Sequence, residues 1–530
     1  MVDGRREDPQ AGRIGAAVVL LSASVLLSRV LGFAREMLLA YRAGAGAATD
    51  AYYAAFQIPD LLNYLLAGGA LSIAFVPLYT KYLARDDEEG AERLFATVLG
   101  TLGSLTLAAV AALWWFAEPL VALQFPRFDS DTLALTVRLT RIVVPAQLFF
   151  VTGGIINATL LARGRFGPSA AAPLLYNAGI IAGGLCLAPF TASPVEGFSW
   201  GALVGAVLGP FLAPLIDAWG RVRIRVRVAL HDRAFLGYLL VAAPLMLGQT
   251  LLTVDEWYER WFGALLGAGS VAHLSYARKL MLVPVAVVGQ AIATAALPAL
   301  ARLWAEGRSE ELHGTLLRTL QAGVALAIVG AAGFFVLADP LVRLIYQHGA
   351  FSAADTVAVA AVLALLALAV PAWIIQQIAV RAFYARGDTW RPMLLGTGVA
   401  LAAIPLYLSL GNAFGVRGLA AAGVIGMSVN AAATVLLARW LHGGPDLSHL
   451  LATAARAAAI AMIAAVAAHH LRNGFGAHGL VGASAELVSG GLAFAVFVLA
   501  GVWALGDDLM RRAFGRLLRR GREEKTASAE

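Results

Sequence analysis

Long apolar stretches alternate with short polar intervals along almost the whole chain. Runs of about 18 or more mainly apolar residues read as membrane spans. About fourteen can be marked, near 14–42, 49–80, 94–117, 133–161, 169–190, 198–219, 234–265, 270–301, 314–336, 354–384, 391–411, 416–440, 449–471 and 484–505. This pattern predicts an all-α polytopic membrane protein. The polar intervals carry the orientation signal. One alternate set holds Arg5, Arg6 and Arg13; Lys81, Arg85 and Arg93; Arg163 and Arg165; Arg221, Arg223, Arg225, Arg227 and Arg233; Arg302 and Arg308; Arg386 and Arg391; and a C-terminal cluster from Arg511 to Lys525. The other set is sparse, with Arg42, Arg127, Arg417 and Arg472. Cations concentrate on the cytoplasmic side, so both termini are expected there, as an even span count requires.

Composition excludes the soluble alternative. The 530 residues are 60% hydrophobic and 14% charged, with a mean hydropathy of +0.75, where soluble chains run nearer a quarter charged. The 55 glycines and 20 prolines suit helices that pack closely and sometimes break. The single cysteine, Cys186, excludes a disulfide framework or a cysteine-rich metal site, and its apolar neighbours predict a packing role. The N-terminal apolar run is too long for a signal peptide and lacks a small-residue cleavage site, so it reads as retained. No P-loop is present. His469-His470, expected in an outward loop, has no carboxylate or cysteine company. Asp86-Asp87-Glu88-Glu89 reads as a solvated charge run. The alternating block from Arg221 to Arg227 fits either an interfacial strand on anionic headgroups or a plain topology anchor. The tail from Asp507 to Lys525 fits an interfacial amphipathic helix.

An internal repeat is visible. Gly44-Ala-Gly-Ala-Ala-Thr-Asp-Ala-Tyr-Tyr53 aligns with Gly267 to Tyr276, and Ala162-Arg163-Gly164 with Ala385-Arg386-Gly387, both at an offset of 223; Pro77 and Pro298 differ by 221. Six spans per unit preserve orientation, which predicts two parallel six-helix repeats, with a substrate site between them as in many transporters. The expected divisions are an N-terminal lobe at 1–220, a C-terminal lobe at 221–442, two extra helices at 443–506 and a basic cytoplasmic tail at 507–530. Pro59 with Gly68-Gly69, Pro284 and Pro371 mark candidate helix breaks.

Charges inside the spans are the candidate chemistry. A charge at the centre of a lone membrane helix costs roughly 2.5–3.5 kcal/mol on insertion scales, so such residues face a bundle interior or a wet cavity. The first span holds Ser28, Arg29, Arg35 and Glu36. Arg29 and Glu36 share a face, as do Ser28 and Arg35. Either the cations bind an anion at membrane depth or an Arg29–Glu36 pair holds the bundle. The second span holds Asp50 and Asp60, the latter in a Pro-Asp helix start. The seventh holds Asp255, Glu256, Glu259 and Arg260. Its carboxylates suit a coupling cation or proton, or Glu259 pairs with Arg260 or another buried cation. The eighth begins with Arg278-Lys279, whose side chains diverge on a helix.

Ser28-Arg-Val-Leu-Gly-Phe-Ala-Arg-Glu36, Gly44 to Tyr52 and Ala70-Leu-Ser-Ile-Ala-Phe-Val-Pro77 resemble the opening of the MurJ (MviN) family, lipid II flippases of the multidrug/oligosaccharidyl-lipid/polysaccharide exporter superfamily. Arg381-Ala-Phe-Tyr-Ala-Arg-Gly-Asp388-Thr with Pro392 resembles a second family segment. The resemblance covers nearly the whole chain. It implies a V-shaped bundle with a central cationic cavity, and a lipid-tail groove along the last two spans. It implies a transporter rather than an enzyme, in the bacterial inner membrane, serving peptidoglycan synthesis and cell shape. The substrate would be lipid II, with membrane lipids and cell-wall synthesis proteins as partners and no nucleic acid. The family's substrate arginines fall on Arg29, Arg35 and Lys279, the last a departure that loses the bidentate fork. Arg278 or Arg260 would supply a further cation. Ser28 and Asn63 join the expected substrate set. Glu36, Asp50, Glu259 and Asp255 are the expected coupling or structural acids. Asn63, Tyr64 and Gly68 stand where the family commonly carries charges.

No cofactor is implied, and coupling falls to membrane potential or to sodium, with Glu259 as the matching acid and Gln376 and Gln377 in the region of the other ligands. The implied cycle is alternating access, with the pyrophosphate on cavity cations. Two alternatives stay open: a flippase for another polyprenyl-linked oligosaccharide, and a membrane-embedded enzyme acting on polyprenyl phosphates.

Overall fold

A computed structural model describes residues 9–66, 74–251, 254–472, 479–512 and 515; side chains are described except at 9–18, 64–66, 243–251 and 254–255. Chain contacts divide the protein into two compact units. One comprises Met1–Trp257, Gly267–Ala272 and Gly349–Phe351, and the other Tyr258–Leu266, His273–His348 and Ser352–Glu530.

The first unit begins with helix α1 (Pro9–Ala43), followed by α2 (Ala47–Ala55), α3 (Gln57–Leu66), α4 (Val76–Leu83) and α5 (Glu88–Trp115). Helices α6 (Ala117–Gln124), α7 (Ser130–Val143), α8 (Ala146–Ala162), α9 (Gly167–Ala182), α10 (Pro194–Ala206), α11 (Ala213–Ala218) and α12 (Arg233–Leu251) complete it. Phe75, Tyr79, Leu94, Phe95, Val98, Val151, Ile155 and Tyr238 belong to one of its apolar clusters. Helices α9 and α10 approach through small residues. A Cβ on Gly179 would collide with the Gly205 backbone, and one on Gly183 with Gly197 and Gly201. That contact, backbone to backbone in an apolar medium, fixes the helix that faces α1. The acidic run at Asp86–Glu89 is a helix start: the Asp87 carboxylate accepts from the Gly90 N–H at 2.8 Å, and Glu88 pairs with Arg163 at 2.7 Å.

Helix α13 (Val254–Gly263) leads into α14 (Ser270–Pro284), α15 (Ala291–Ala305), α16 (Ser309–Val336), α17 (Ala338–Tyr346), α18 (Ala353–Ala367) and α19 (Val370–Tyr384). Then come α20 (Trp390–His442), α21 (Leu447–Arg472) and α22 (Gly479–Leu505). The last two pack on α16 through Ala325, Val329, Ala457, Ile460, Ala464, Val498 and Val502. A π-helical turn, Val285–Gln290, follows Pro284 directly, as expected where proline removes a donor from the ladder.

Among the described residues, nine helices are long and apolar enough to cross a membrane, or ten if α18 and α19, bent by 41° at their junction, form one span. This is fewer than the fourteen apolar runs, for identifiable reasons. Helix α20 is continuous in hydrogen bonding but breaks at Gly415 (φ 60°, ψ −139°), between the expected spans 391–411 and 416–440. Every 18-residue window of α1 with described side chains contains Arg29, Arg35 and Glu36. The run 49–80 is broken at Phe56, and its Gly68-Gly69 lies outside the described residues. The run 234–265 is divided into α12 and α13. Two smaller expectations are corrected. Cys186 is exposed, so its apolar neighbours serve the outer surface of a membrane helix instead of a core. His469 and His470 lie in the last turn of α21, not in a loop.

The repeat is written into the backbone of each unit. After α8, the N–H groups of Gly164 and Arg165 bond to the carbonyls of Leu161 and Leu160, both at 2.9 Å. After α19, those of Gly387 and Asp388 bond to Tyr384 and Phe383, both at 3.0 Å. All four positions differ by 223, and Gly164 and Gly387 share a left-handed φ of 74° and 75°, which favours glycine. The arginine before each glycine lies over an aromatic ring: Arg163 over Tyr79 at 5.6 Å and Arg386 over Trp304 at 5.0 Å.

Candidate functional site

The charges of the first span belong to a polar seam between α1 and α9. Arg35 Nη1 donates to Asn177 Oδ1 at 3.2 Å, and Nη2 donates to Glu36 Oε1 at 2.6 Å. The other Glu36 oxygen accepts from the Tyr53 hydroxyl at 2.6 Å. Asn177 Nδ2 donates to Ser28 Oγ at 3.2 Å and to the Pro173 carbonyl at 3.0 Å. The Ser24 hydroxyl donates to the Ala170 carbonyl. Ser28 and Arg35 thus share a face through one amide, as seven-residue spacing requires. Glu36 is 4% exposed and forms an ion pair with Arg35. Arg29 is exposed on α1. Asn177 was not among the sequence candidates, although an amide inside Pro-Leu-Leu-Tyr-Asn-Ala-Gly-Ile-Ile is the kind of intramembrane polar residue that marks a site. A guanidinium has five N–H donors; among the described residues Arg35 uses two.

Asp50 and Asn63 lie elsewhere in the same unit. The buried Asp50 carboxylate accepts from the backbone N–H groups of Gly269 at 2.6 Å and Ala272 at 2.7 Å, at the start of α14. It satisfies donors that a helix N-terminus leaves open, a structural role that its position in the chain did not reveal. Asn63 is half-buried on α3 and makes no hydrogen bond among the described residues; Asp60 lies in the first turn of that helix, as its Pro-Asp context suggests. The side chains of Tyr64 and Asp255, and all of Gly68, lie outside the described residues.

The second unit holds its own buried ion pair. Arg278 grips Glu259 with two parallel bonds, Nε to Oε2 at 2.5 Å and Nη2 to Oε1 at 2.6 Å. The side chains are 7% and 3% exposed. Of the alternatives for Glu259, pairing with another buried cation is the one this geometry provides. Lys279, next in the chain, is half-buried and forms no ion pair among the described residues. Arg260 is buried. The Gln376 side-chain oxygen is buried and has no hydrogen-bond partner among the described residues. Among the described residues no group of three or more His, Cys, Asp or Glu is placed to hold a metal ion. Both Glu259 oxygens accept from the Arg278 guanidinium. The repeat offset also relates the two glutamates, since 259 exceeds 36 by 223. Each half therefore buries a carboxylate at an equivalent position and gives it a guanidinium.

A sequence model described as "Lipid II flippase MurJ" matches residues 39–489. The chain belongs to the MurJ family. It is 30% identical over 402 residues to a probable lipid II flippase MurJ of Rhizobium tropici, covering 72% of this chain and 73% of that protein. It is also 30% identical over 394 residues to the lipid II flippase MurJ of Burkholderia cenocepacia, covering 73% and 76%. The fold matches the solved structure of lipid II flippase MurJ in an inward closed conformation, with a TM-score of 0.76 at 21% identity over 92% of this chain and 99% of that one. An inward-facing multidrug-resistance MATE transporter matches with a TM-score of 0.67 at 17% identity, over 81% and 98%. The MurJ chain is thus an all-α polytopic membrane protein of a transporter family, not an enzyme. The family match begins at Leu39, so the α1 segment from Ser28 to Glu36 lies before it.

Proposed function

We propose that this MurJ-family chain carries lipid II from the cytoplasmic to the periplasmic leaflet of a bacterial inner membrane by alternating access. Family membership over residues 39–489 carries this reading. The fold it shares has been captured inward-facing and outward-facing in MATE transporters, which supports a cycle between two openings. In this scheme Arg29, Arg35 and Lys279 bind the pyrophosphate. Arg35 keeps three N–H donors beyond those given to Glu36 and Asn177, enough for charge-assisted bonds to phosphate oxygens. Ser28 and Asn177 hold that guanidinium in place. The polyprenyl tail stays in lipid along α21 and α22. Both termini face the cytoplasm. Membrane potential supplies the reset, at roughly 2.3 kcal/mol per charge per 100 mV.

Complementation of a strain depleted of its lipid II flippase tests this reading. The wild-type gene should rescue growth, and Arg35→Ala and Lys279→Ala should not, at matched membrane levels. Wild-type protein that inserts but fails to rescue would favour another polyprenyl-linked oligosaccharide as cargo. Full rescue by Arg35→Ala would remove that residue from substrate binding.

A further inference from the structure

The block from Arg221 to Val228 alternates four arginines with four aliphatic residues, and the structure gives it a built seat. The segment runs extended along α5. The Arg227 N–H donates to the Ala96 carbonyl at 3.0 Å, and the Ala229 N–H to Thr101 Oγ1 at 3.2 Å. Gly100 lies between these points, and a Cβ there would collide with the Arg227 backbone. Val222 enters the apolar cluster of the first unit. Beyond it the side chains turn outward: Val226 is 71% exposed, Val228 60% and Leu230 59%. The arginine row is held unevenly: Arg221 Nη1 donates to the Asp217 backbone carbonyl at 2.7 Å. Arg221 lies 3.8 Å from Asp217, Arg223 3.8 Å from Glu92, and Arg227 3.3 Å from Asp232. Arg225 has no ion pair among the described residues.

Depth completes the argument. The apolar part of α5 begins at Leu94, so Ala96 and Thr101 lie about 3 and 10 Å further along the axis. Interfacial peptides bury their apolar face roughly 5–10 Å into the boundary between headgroups and acyl chains. Trp219, at the entry to the segment, is exposed and is of a residue type that favours this zone. A plain topology anchor needs positive charge in the interval. It needs neither alternation, nor backbone bonds to a membrane helix, nor a glycine notch to receive the strand.

We propose that Arg221–Leu230 is an interfacial strap that binds anionic phospholipid headgroups. Val226, Val228 and Leu230 enter the acyl region, while Arg223 and Arg225 bond to phosphate oxygens above them. The strap ties α5 to the lipid surface and selects negatively charged lipid at this point of the protein's perimeter. This assignment is independent of the transported substrate.

The test uses the full chain with Cys186→Ser and Val226→Cys, labelled at position 226 with an environment-sensitive NBD fluorophore. It is reconstituted in phosphatidylcholine vesicles with stepped amounts of phosphatidylglycerol. NBD emission should be blue-shifted, and spin-labelled phosphatidylglycerol should quench it more strongly than spin-labelled phosphatidylcholine. Raising salt to 1 M should weaken that preference, because the Debye length falls to about 3 Å. Arg223→Gln and Arg225→Gln should each reduce it by up to about fivefold. Water-like emission at every lipid composition would overturn the proposal. So would a preference unchanged in both variants, or one unaffected by salt in the labelled parent, a measurement that needs no arginine variant to fold.

Discussion

The Glu259–Arg278 pair makes the sharpest test of what the buried charges do. Both side chains are almost fully buried, and both carboxylate oxygens are used. Glu259→Gln leaves a guanidinium that cannot release its proton in a site built for a charge pair. Removing one partner of such a pair costs about 3–5 kcal/mol, and an unpaired charge at membrane depth about 2.5–3.5 kcal/mol; both arguments converge near 3 kcal/mol. Arg278→Met should cost less, because an orphaned carboxyl can take up a proton, and its penalty should shrink as pH falls. Replacing both, as Glu259→Leu with Arg278→Met, removes both charges and should recover most of the loss. Thermal unfolding in detergent, followed by tryptophan fluorescence and by the monodisperse fraction on gel filtration, reads all three variants with and without sodium. The expected order of midpoints is wild type, then the double variant, then Arg278→Met, then Glu259→Gln, with no sodium effect that depends on Glu259. A Glu259→Gln protein as stable as wild type would refute the reasoning. So would a double variant no better than the singles, or a sodium stabilisation that Glu259→Gln abolishes.

Other consequences are equally direct. Asp50→Ala strands the buried N–H groups of Gly269 and Ala272 and should destabilise the protein by about 2–6 kcal/mol at roughly 1–3 kcal/mol per stranded group; Asp50→Asn, which keeps an acceptor, should lose less in the same unfolding assay. Asn177→Leu removes the link between Ser28 and Arg35 and should lower rescue of a flippase-depleted strain at normal membrane levels; unchanged rescue would show that Arg35 needs no positioning from α9. Asp446, just before α21, accepts from the Ser448 N–H and hydroxyl and from His449, and these bonds hold its carboxyl down at about 2. A depressed carboxyl stabilises above its unfolded value, near 3.9, and loses that contribution as pH falls toward 2. Hydrogen exchange at the start of α21 should therefore accelerate between about pH 4 and pH 2, and Asp446→Asn should remove that dependence.

How much was legible in the sequence depended on whether the signal was local. Most of the apolar runs and the shared face of Ser28 and Arg35 follow from local spacing, the repeat follows from two short matching motifs, and these have counterparts in the structure. The partners did not follow, because they come from remote segments. Asn177 is 142 residues from Arg35, and the donors to Asp50 lie 219 and 222 residues away. Arg278 is 19 residues from Glu259, across the turn between α13 and α14. Glu36 looked equally available to Arg29 and Arg35, since seven-residue spacing and direct adjacency both bring charges within reach. Arg35 lies on the face that packs on α9, where its guanidinium reaches Asn177 and Glu36 together. Span boundaries were least legible where helices break, at Phe56, Leu368 and Gly415, because hydropathy reports burial in lipid and not continuity of hydrogen bonding.

The paired glutamates show what the repeat preserves and what it frees. Glu36 and Glu259 occupy equivalent positions, but their guanidiniums do not. Arg35 precedes its glutamate on the same helix, whereas Arg278 stands where the first half has Ala55, since 278 less 223 is 55. The position equivalent to Arg35 is Tyr258. Two halves built on one backbone plan thus meet the same physical demand, a compensated buried carboxylate, from opposite directions. A carboxylate whose neutralising partner changes position while its own stays fixed behaves as a fixed structural post for the helix pair around it. On the proposed function, substrate binding would then fall to the donors these posts do not consume. In the first half those are the remaining N–H groups of Arg35. In the second, Arg278 spends its fork on Glu259, and Lys279, about 100° further around α14, is the neighbouring cation without an ion pair among the described residues. A lysine there supplies charge without a fixed fork, so Lys279→Arg should be tolerated in complementation, while Arg278→Lys, which breaks the two parallel bonds, should not.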